Sequence, residues 1–114
     1  MKVQEIVDFV EGVVCNHVGV SVEQMLEDTK KGACVKARHL SIFILHCTFG
    51  LSIRQLCNRY GFSVRHFFRI SQQMKDYISY SYDYRELYDK IMVDIKPFAE
   101  NLSIYIEPTQ KESE

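Results

Sequence analysis

The stretch Ile53–Gln72, IRQLCNRYGFSVRHFFRISQ, decides the fold that we predict for this chain of 114 residues. It has the pattern of a helix-turn-helix, in which a short helix packs across a second one through a turn of three or four residues. Leu56 and Tyr60 are the predicted inward positions of the first helix. Cys57 is the small residue where the two helices approach, and Gly61 allows the positive φ that the turn requires.

The second helix of this stretch is predicted to carry the DNA contacts. Ser63 caps it, Phe62 fills the turn before it, and Phe67 and Ile70 are its inward positions. Arg side chains bond guanine edges, Gln side chains bond adenine edges, and a capped helix N-terminus suits a phosphate. The predicted base-contacting residues are therefore Ser63, Arg65, His66, Arg69, Gln72 and Gln73.

Charge is distributed unevenly along the chain. The total of 14 Lys and Arg against 15 Asp and Glu gives a net charge of −1, which by itself argues against a nucleic-acid binder. All the acidic residues, however, lie in Glu5–Asp28 and Asp76–Glu114, so Thr29–Lys75 carries nine basic residues and no acid. This segment is typical of a surface that binds a polyanion. The predicted contacts to the DNA backbone are Lys30, Lys31, Lys36, Arg38 and Arg54.

Helical patterns precede the quoted stretch. Apolar residues recur at helical spacing over Val3–His17, with Glu11 assigned to the opposite, polar face. Ser21 and Gln24 match a capping box that starts a short second helix. Ala33–Phe49 is apolar nearly all round in its C-terminal half, so we expect it to be the central and most buried helix.

Helical patterns also surround the C-terminal side of the stretch. Two further capping boxes are Ser52 with Gln55, before the helix-turn-helix, and Asp83 with Glu86, after it. The second box starts a helix that we expect to stop before Pro97. Ser103–Glu107 fits a short strand or an extended segment.

These patterns together predict an all-α fold. We expect a compact multi-helix domain with the helix-turn-helix over residues 1–76. An acidic helical extension, residues 77–107, packs on this domain as an extra C-terminal helix. A disordered tail follows over residues 108–114.

Several other protein classes are not indicated. Met1–Glu11 has three acidic residues within its apolar run, unlike a secretory signal, and Leu40–Leu45 is too short to cross a bilayer. The four cysteines form no C-x-x-C pair, which favours reduced thiols and a cytoplasmic location. No paired carboxylates, nucleophile–base set or metal cluster has a usable spacing, so we predict no enzyme activity, no cofactor and no bound metal.

From about Val3 to Met74, the order of features resembles the C-terminal DNA-binding domain of the bacterial chromosomal replication initiator DnaA. Residues 35–44, VKARHLSIFI, are similar to the family's V-x-A-R-Q-x-A-M-Y stretch, and residues 50–61, GLSIRQLCNRYG, to its G-L-S-L-P-E-I-G-x-x-F-G. The resemblance implies a backbone or minor-groove contact for Lys30 and Lys31. It also implies a major-groove role for the helix that starts at Ser63.

The chain departs from this family after Gly61. The family's Arg-Asp-His-Thr-Thr run is replaced by FSVRHFF, residues 62–68, so only an Arg/His character is kept, at Arg65 and His66. The family's own box sequence is therefore not our predicted target. No G-x-x-x-x-G-K-[ST] loop of an ATPase occurs in the sequence, so we expect a regulator of replication or transcription, or a mobile-element protein.

A cluster of tyrosines leaves a second function open. Five of the seven tyrosines lie within Tyr77–Tyr88, and Tyr is frequent at interfaces because it buries a ring while its hydroxyl stays in water. The cluster fits either an ordinary seam between helices or a contact with a protein partner or a second copy, to which Phe68 would add. The alternative function is thus a protein–protein interaction module whose basic face docks an acidic partner.

Overall fold

The computed structural model describes residues 2–27 and 30–113, with side chains to residue 102. Within these ranges the chain forms six helices and no strand, which confirms the predicted all-α class. The helices are α1 (Val3–Val18), α2 (Val22–Leu26), α3 (Gly32–Cys47), α4 (Ile53–Tyr60), α5 (Val64–Tyr80) and α6 (Tyr82–Ser113).

Side-chain caps start α2, α4 and α5 where the sequence predicts them. The Ser21 hydroxyl accepts the backbone N–H of Gln24 at 3.0 Å, and the Ser52 hydroxyl accepts that of Gln55 at 3.1 Å. Both glutamine side chains accept the serine N–H in return, which completes two capping boxes. Ser63 accepts one backbone N–H of α5 at 3.1 Å. These caps fix where α2, α4 and α5 begin.

α3 is the central helix, as predicted. It packs against α1, α2, α4 and α5. Ala37, Leu40 and Ile44 are fully buried along it, in one hydrophobic cluster with residues of every other helix. The long apolar run of α3 therefore reflects neighbours on several sides.

α6 packs against α1 and α5 and shares this core. Ile91 and Ile95 of α6 are fully buried in the same cluster as Met74 of α5. His17 of α1 also meets Asp94 of α6, with Nε2 and Oδ2 2.8 Å apart. The division predicted between residues 76 and 77 falls inside α5.

α6 starts at a different cap from the one predicted. The predicted box was Asp83 with Glu86, but the helix begins at Tyr82. The hydroxyl of Ser81 accepts the backbone N–H of Tyr84 at 3.4 Å. Ser and Asp are both favoured at N-caps. Glu86 lies three positions after Asp83, as a capping box requires, so the sequence pattern favoured Asp83 over Ser81.

α6 also continues past Pro97, so the predicted stop is wrong. Proline lacks an N–H and its ring crowds the carbonyl four residues back, which costs about 3 kcal/mol in a helix interior. Contacts beyond the proline offset this cost: the Phe98 ring stacks on Phe9 of α1 at 4.1 Å and lies 5.9 Å from the ring of Phe49. The backbone of Ser103–Glu107 belongs to α6 rather than to a strand or an extended segment.

The backbone of residues 108–113 continues α6, whereas the sequence predicted a disordered tail over residues 108–114. The side chains beyond residue 102 lie outside the described residues.

Glu11 is buried in α1, although the sequence assigned it to the polar face. Its side chain is 1% exposed. Arg59 of α4 donates to it from Nε at 3.0 Å and from Nη2 at 2.6 Å, and the Tyr60 hydroxyl donates to Oε2. Burial and the Glu11 charge raise the pKa of Tyr60, which keeps the phenol a donor. Val7 and Cys15, one turn to either side, are also buried, and this spacing is the signal that was missed.

We expect Glu11→Ala to lower the free energy of unfolding by about 2–4 kcal/mol, because Arg59 and Tyr60 lose their shared acceptor. Urea unfolding followed by circular dichroism measures the change. Glu5→Ala, in the exposed first turn of α1, is the matched control and should cost less than about 1 kcal/mol. Equal losses in the two variants would contradict a special role for the buried carboxylate.

We expect Pro97→Ala to raise the free energy of unfolding by about 1–2 kcal/mol, since an exposed helix position regains its N–H donor. Thermal unfolding measures the shift. Lys96→Ala changes the neighbouring exposed residue without restoring a hydrogen bond and should leave the midpoint nearly unchanged. A lower midpoint for Pro97→Ala would show that the proline itself stabilises α6.

Candidate nucleic-acid interface

The turn between α4 and α5 has the backbone form that the sequence predicts. Gly61 adopts φ 71° and ψ 48°, in the left-handed region that favours glycine. The N–H groups of Gly61 and Phe62 both donate to the Cys57 carbonyl, at 2.8 and 3.3 Å. Leu56 of α4 and Ile70 of α5 are buried. The turn and these inward residues fix the direction in which α5 leaves α4.

α5 has one buried side and one exposed side. Phe67, Ile70 and Met74 form the buried side. All the predicted base-contacting residues are exposed, namely Ser63, Arg65, His66, Arg69, Gln72 and Gln73. Arg65 and Arg69 lie one turn apart. The structure thus brings the predicted set together along the outward side of α5.

Two members of this set are already engaged within the protein. The Ser63 hydroxyl accepts the His66 N–H as the helix cap. The Gln72 Nε2 group donates to Oδ1 of Asp76 at 3.1 Å. Asp76 places a negative charge one turn beyond Gln72, so the positive charge of this surface lies in the N-terminal half of α5.

Two apolar side chains lie beside the arginines on α5. Val64 is 53% exposed and Phe68, one turn later, is 58% exposed. The Phe68 ring meets the Phe67 ring edge-on, with centroids 5.6 Å apart. The outward side of α5 therefore combines guanidinium groups with a small apolar strip.

The residues predicted to contact the DNA backbone divide into two groups. Lys30, Lys31 and Arg54 are exposed, whereas Lys36 and Arg38 are half-buried. The Arg38 guanidinium donates from Nε to the Met25 carbonyl at 3.0 Å and from Nη2 to the Glu27 carbonyl at 3.3 Å. Arg38 therefore closes the C-terminal end of α2 onto α3.

The basic segment offers less positive charge to a partner than its sequence suggests. Arg59 is paired with buried Glu11. The Lys36 Nζ group lies 5.1 Å from the centroid of the Tyr84 ring, a cation–π contact. Among the described basic side chains, the two arginines of α5 combine exposure with a position on the outward side of this helix.

Comparison with known protein families and with curated proteins finds no match for this chain. The interpretation of this surface therefore depends on its own residues and geometry.

Other kinds of site are not evident in the described chain. Within it, no three His, Cys, Asp or Glu side chains are grouped so as to hold a metal ion. Cys47 is exposed and Cys57 is half-buried, and His46 is hydrogen-bonded through Nδ1 to the Leu51 carbonyl at 2.9 Å. Nor is any helix in residues 2–27 and 30–113 both long and apolar enough to cross a membrane.

His46 of α3 packs against α5, a role that the sequence did not indicate, and His39 of α3 is perturbed by its surroundings. The His46 ring meets Phe67 edge-on, with centroids 4.9 Å apart. His39 is half-buried, and burial, helped by the nearby charges of His66 and Arg38, lowers its pKa to about 4. His39 is therefore neutral at pH 7, which avoids a further positive charge beside Arg38 and His66.

We expect the protein to lose stability as the pH falls from about 6.5 to 4, because the unfolded chain protonates His39 near pH 6.5 and the folded chain only near its pKa of about 4. Proton uptake over this window favours the unfolded state. The His39→Gln variant lacks this proton uptake. As the pH falls from 7 to 4.5, its free energy of unfolding should therefore decrease by about 1–3 kcal/mol less than that of the parent. Urea titrations at pH 7 and 4.5 measure the difference, and parallel declines would refute it.

Proposed function

We propose that this chain is a double-stranded DNA-binding protein that uses α4 and α5 as a helix-turn-helix. The observation that carries the proposal is the exposure of Arg65 and Arg69 one turn apart on α5, opposite its buried side. A helix about 10–12 Å wide enters the major groove, and two arginines one turn apart on one face enter it together. The N-terminal half of α5 is then the recognition surface.

The residues of this surface take different roles in the proposed complex. Arg65 and Arg69 bond guanine edges, and Val64 with Phe68 contacts thymine methyl groups. Since the Ser63 hydroxyl is occupied by the cap, the backbone N–H groups at the start of α5 bind a phosphate. His66, Gln72 and Gln73 complete the set of base contacts.

The proposed phosphate contacts come from exposed residues outside α5. Lys30 and Lys31 precede α3, and Arg54 lies in the first turn of α4. Arg38, whose guanidinium bonds two backbone carbonyls, acts by positioning the segment that leads to these lysines. The resemblance of residues 35–44 and 50–61 to the DnaA DNA-binding domain supports a regulator of replication or transcription, or a mobile-element protein, as the biological setting.

An interaction module is the second candidate function. Phe68 is 58% exposed and Tyr80 is 87% exposed, and such side chains favour a protein contact. Under this alternative the basic face docks an acidic partner. A partner that co-purifies equally well with the parent and with Arg65→Ala would favour the interaction module over DNA binding.

We expect Arg65→Ala and Arg69→Ala each to weaken duplex binding by about 1–3 kcal/mol, because each removes a bidentate donor from the groove. Sites are first selected from a random duplex pool, and fluorescence anisotropy then gives Kd at several salt concentrations. The parent Kd should rise steeply with salt as counterions are released.

Arg85→Ala is the matched control for these variants. Arg85 is an exposed arginine on α6, so its loss changes the net charge equally but leaves α5 intact. Duplex binding that is absent, insensitive to salt, or weakened as much by Arg85→Ala as by Arg65→Ala would overturn the proposal.

A further inference from the structure

Aromatic rings gather at the corner where α5 ends and α6 begins. Tyr77 of α5 and Tyr84 of α6 stack with centroids 4.8 Å apart and planes inclined by 27°. Tyr80 and Tyr82, on either side of Ser81, are 87% and 78% exposed. We call these four tyrosines the aromatic corner.

Packing between helices explains only part of this tyrosine cluster. Tyr88 is half-buried and meets Phe43 of α3 at 6.2 Å, as a seam between helices requires. Tyr84 is half-buried as well. Tyr80 and Tyr82 instead expose most of their surface to solvent, and Tyr77 is 43% exposed. The aromatic corner therefore presents ring surface that the core does not use.

Positive charge adjoins the aromatic corner. The Lys36 Nζ group lies 5.1 Å from the Tyr84 centroid, so Lys36, Tyr84 and Tyr77 are linked by successive contacts. Lys36 lies in the second turn of α3 and is half-buried. An aromatic surface with a lysine at its border has the composition of a site that stacks bases and contacts phosphates.

We propose that the aromatic corner binds the unpaired bases of a single nucleic-acid strand. Every base has a π-face, so exposed tyrosine rings stack on bases with little dependence on sequence. The exposed part of Tyr77 continues the stack that Tyr84 begins, while Tyr80 and Tyr82 offer two further rings. Lys36 contacts a phosphate that links the bases.

Stacking contributes more to this site than charge does. Asp76, Asp83 and Glu86 are exposed near the same corner, with Glu86 beside Tyr82, and they offset the charge of Lys36. Burial and the neighbouring Tyr77 raise the pKa of Tyr84 to about 12, so its ring stays neutral beside the phosphates. Single-strand binding should therefore depend less on salt than duplex binding by α5 does.

The aromatic corner is separate from the proposed duplex-binding surface. Along α5, Tyr80 lies about three turns beyond Arg69, which is about 16 Å along the helix axis. The inference does not rest on duplex recognition, since each surface can bind or fail to bind without the other. Variants of one surface thus serve as controls for the other.

The test uses fluorescence anisotropy with labelled dT15 and rU15, which form no duplex with themselves. We expect both strands, or one of them, to bind the parent chain, and the Tyr80→Ala/Tyr82→Ala double variant to raise Kd about 5- to 100-fold. Tyr80→Phe/Tyr82→Phe keeps the rings and should retain binding. Circular dichroism confirms that variants at these exposed positions remain folded.

Two control variants separate the aromatic corner from the outward side of α5. Phe68→Ala removes an exposed aromatic ring from that side of α5 and should leave single-strand binding unchanged. Arg65→Ala should weaken duplex binding only. A preference between dT15 and rU15 identifies the natural strand as DNA or RNA.

Three results would overturn the proposal. The first is no binding of either strand by the parent chain. The second is binding that falls with Arg65→Ala and not with the tyrosine double variant. The third is a dimer in sedimentation that the tyrosine double variant dissociates while neither strand binds, since the corner would then be a contact between two copies.

Discussion

The charge of Glu11 lies inside a hydrophobic cluster, and the placement of α4 follows from how that charge is neutralised. A carboxylate with 1% exposure is tolerated only with strong donors, and Arg59 and Tyr60 supply them from consecutive positions of α4. Arg59 and Tyr60 are the last residues of α4, so holding them in place also fixes the position of Gly61, the turn residue before α5. The orientation of the candidate recognition surface therefore depends on an acid in the first helix of the chain.

Local patterns were sufficient to predict most of the fold. The caps at Ser21, Ser52 and Ser63 and the left-handed Gly61 depend on neighbouring residues alone, and the sequence located all four. The exposed and buried sides of α5 follow from helical periodicity, which placed Phe67 and Ile70 inward and the candidate contacts outward. Neither of these features requires knowledge of a distant partner.

Apart from the cap of α6 at Ser81, the main features that sequence reasoning missed involve residues far apart in the chain. Glu11 was assigned to solvent because its partners are 48 and 49 residues away. The count of nine basic residues took no account of Arg59, which pairs with Glu11, or of Arg38, which donates to the carbonyls of Met25 and Glu27. Pro97 was expected to end α6 because the stacking of Phe98 on Phe9 is invisible in the local pattern.

The contacts between α1 and α6 also constrain the order of events during synthesis. Phe9 stacks on Phe98, and His17 meets Asp94, so both pairs join the first helix to the last. Closing loops of this length is entropically costly, and α1 lacks these partners until α6 has left the ribosome. The helices α1–α5 therefore reach their complete core only after the nascent chain has been extended well beyond them.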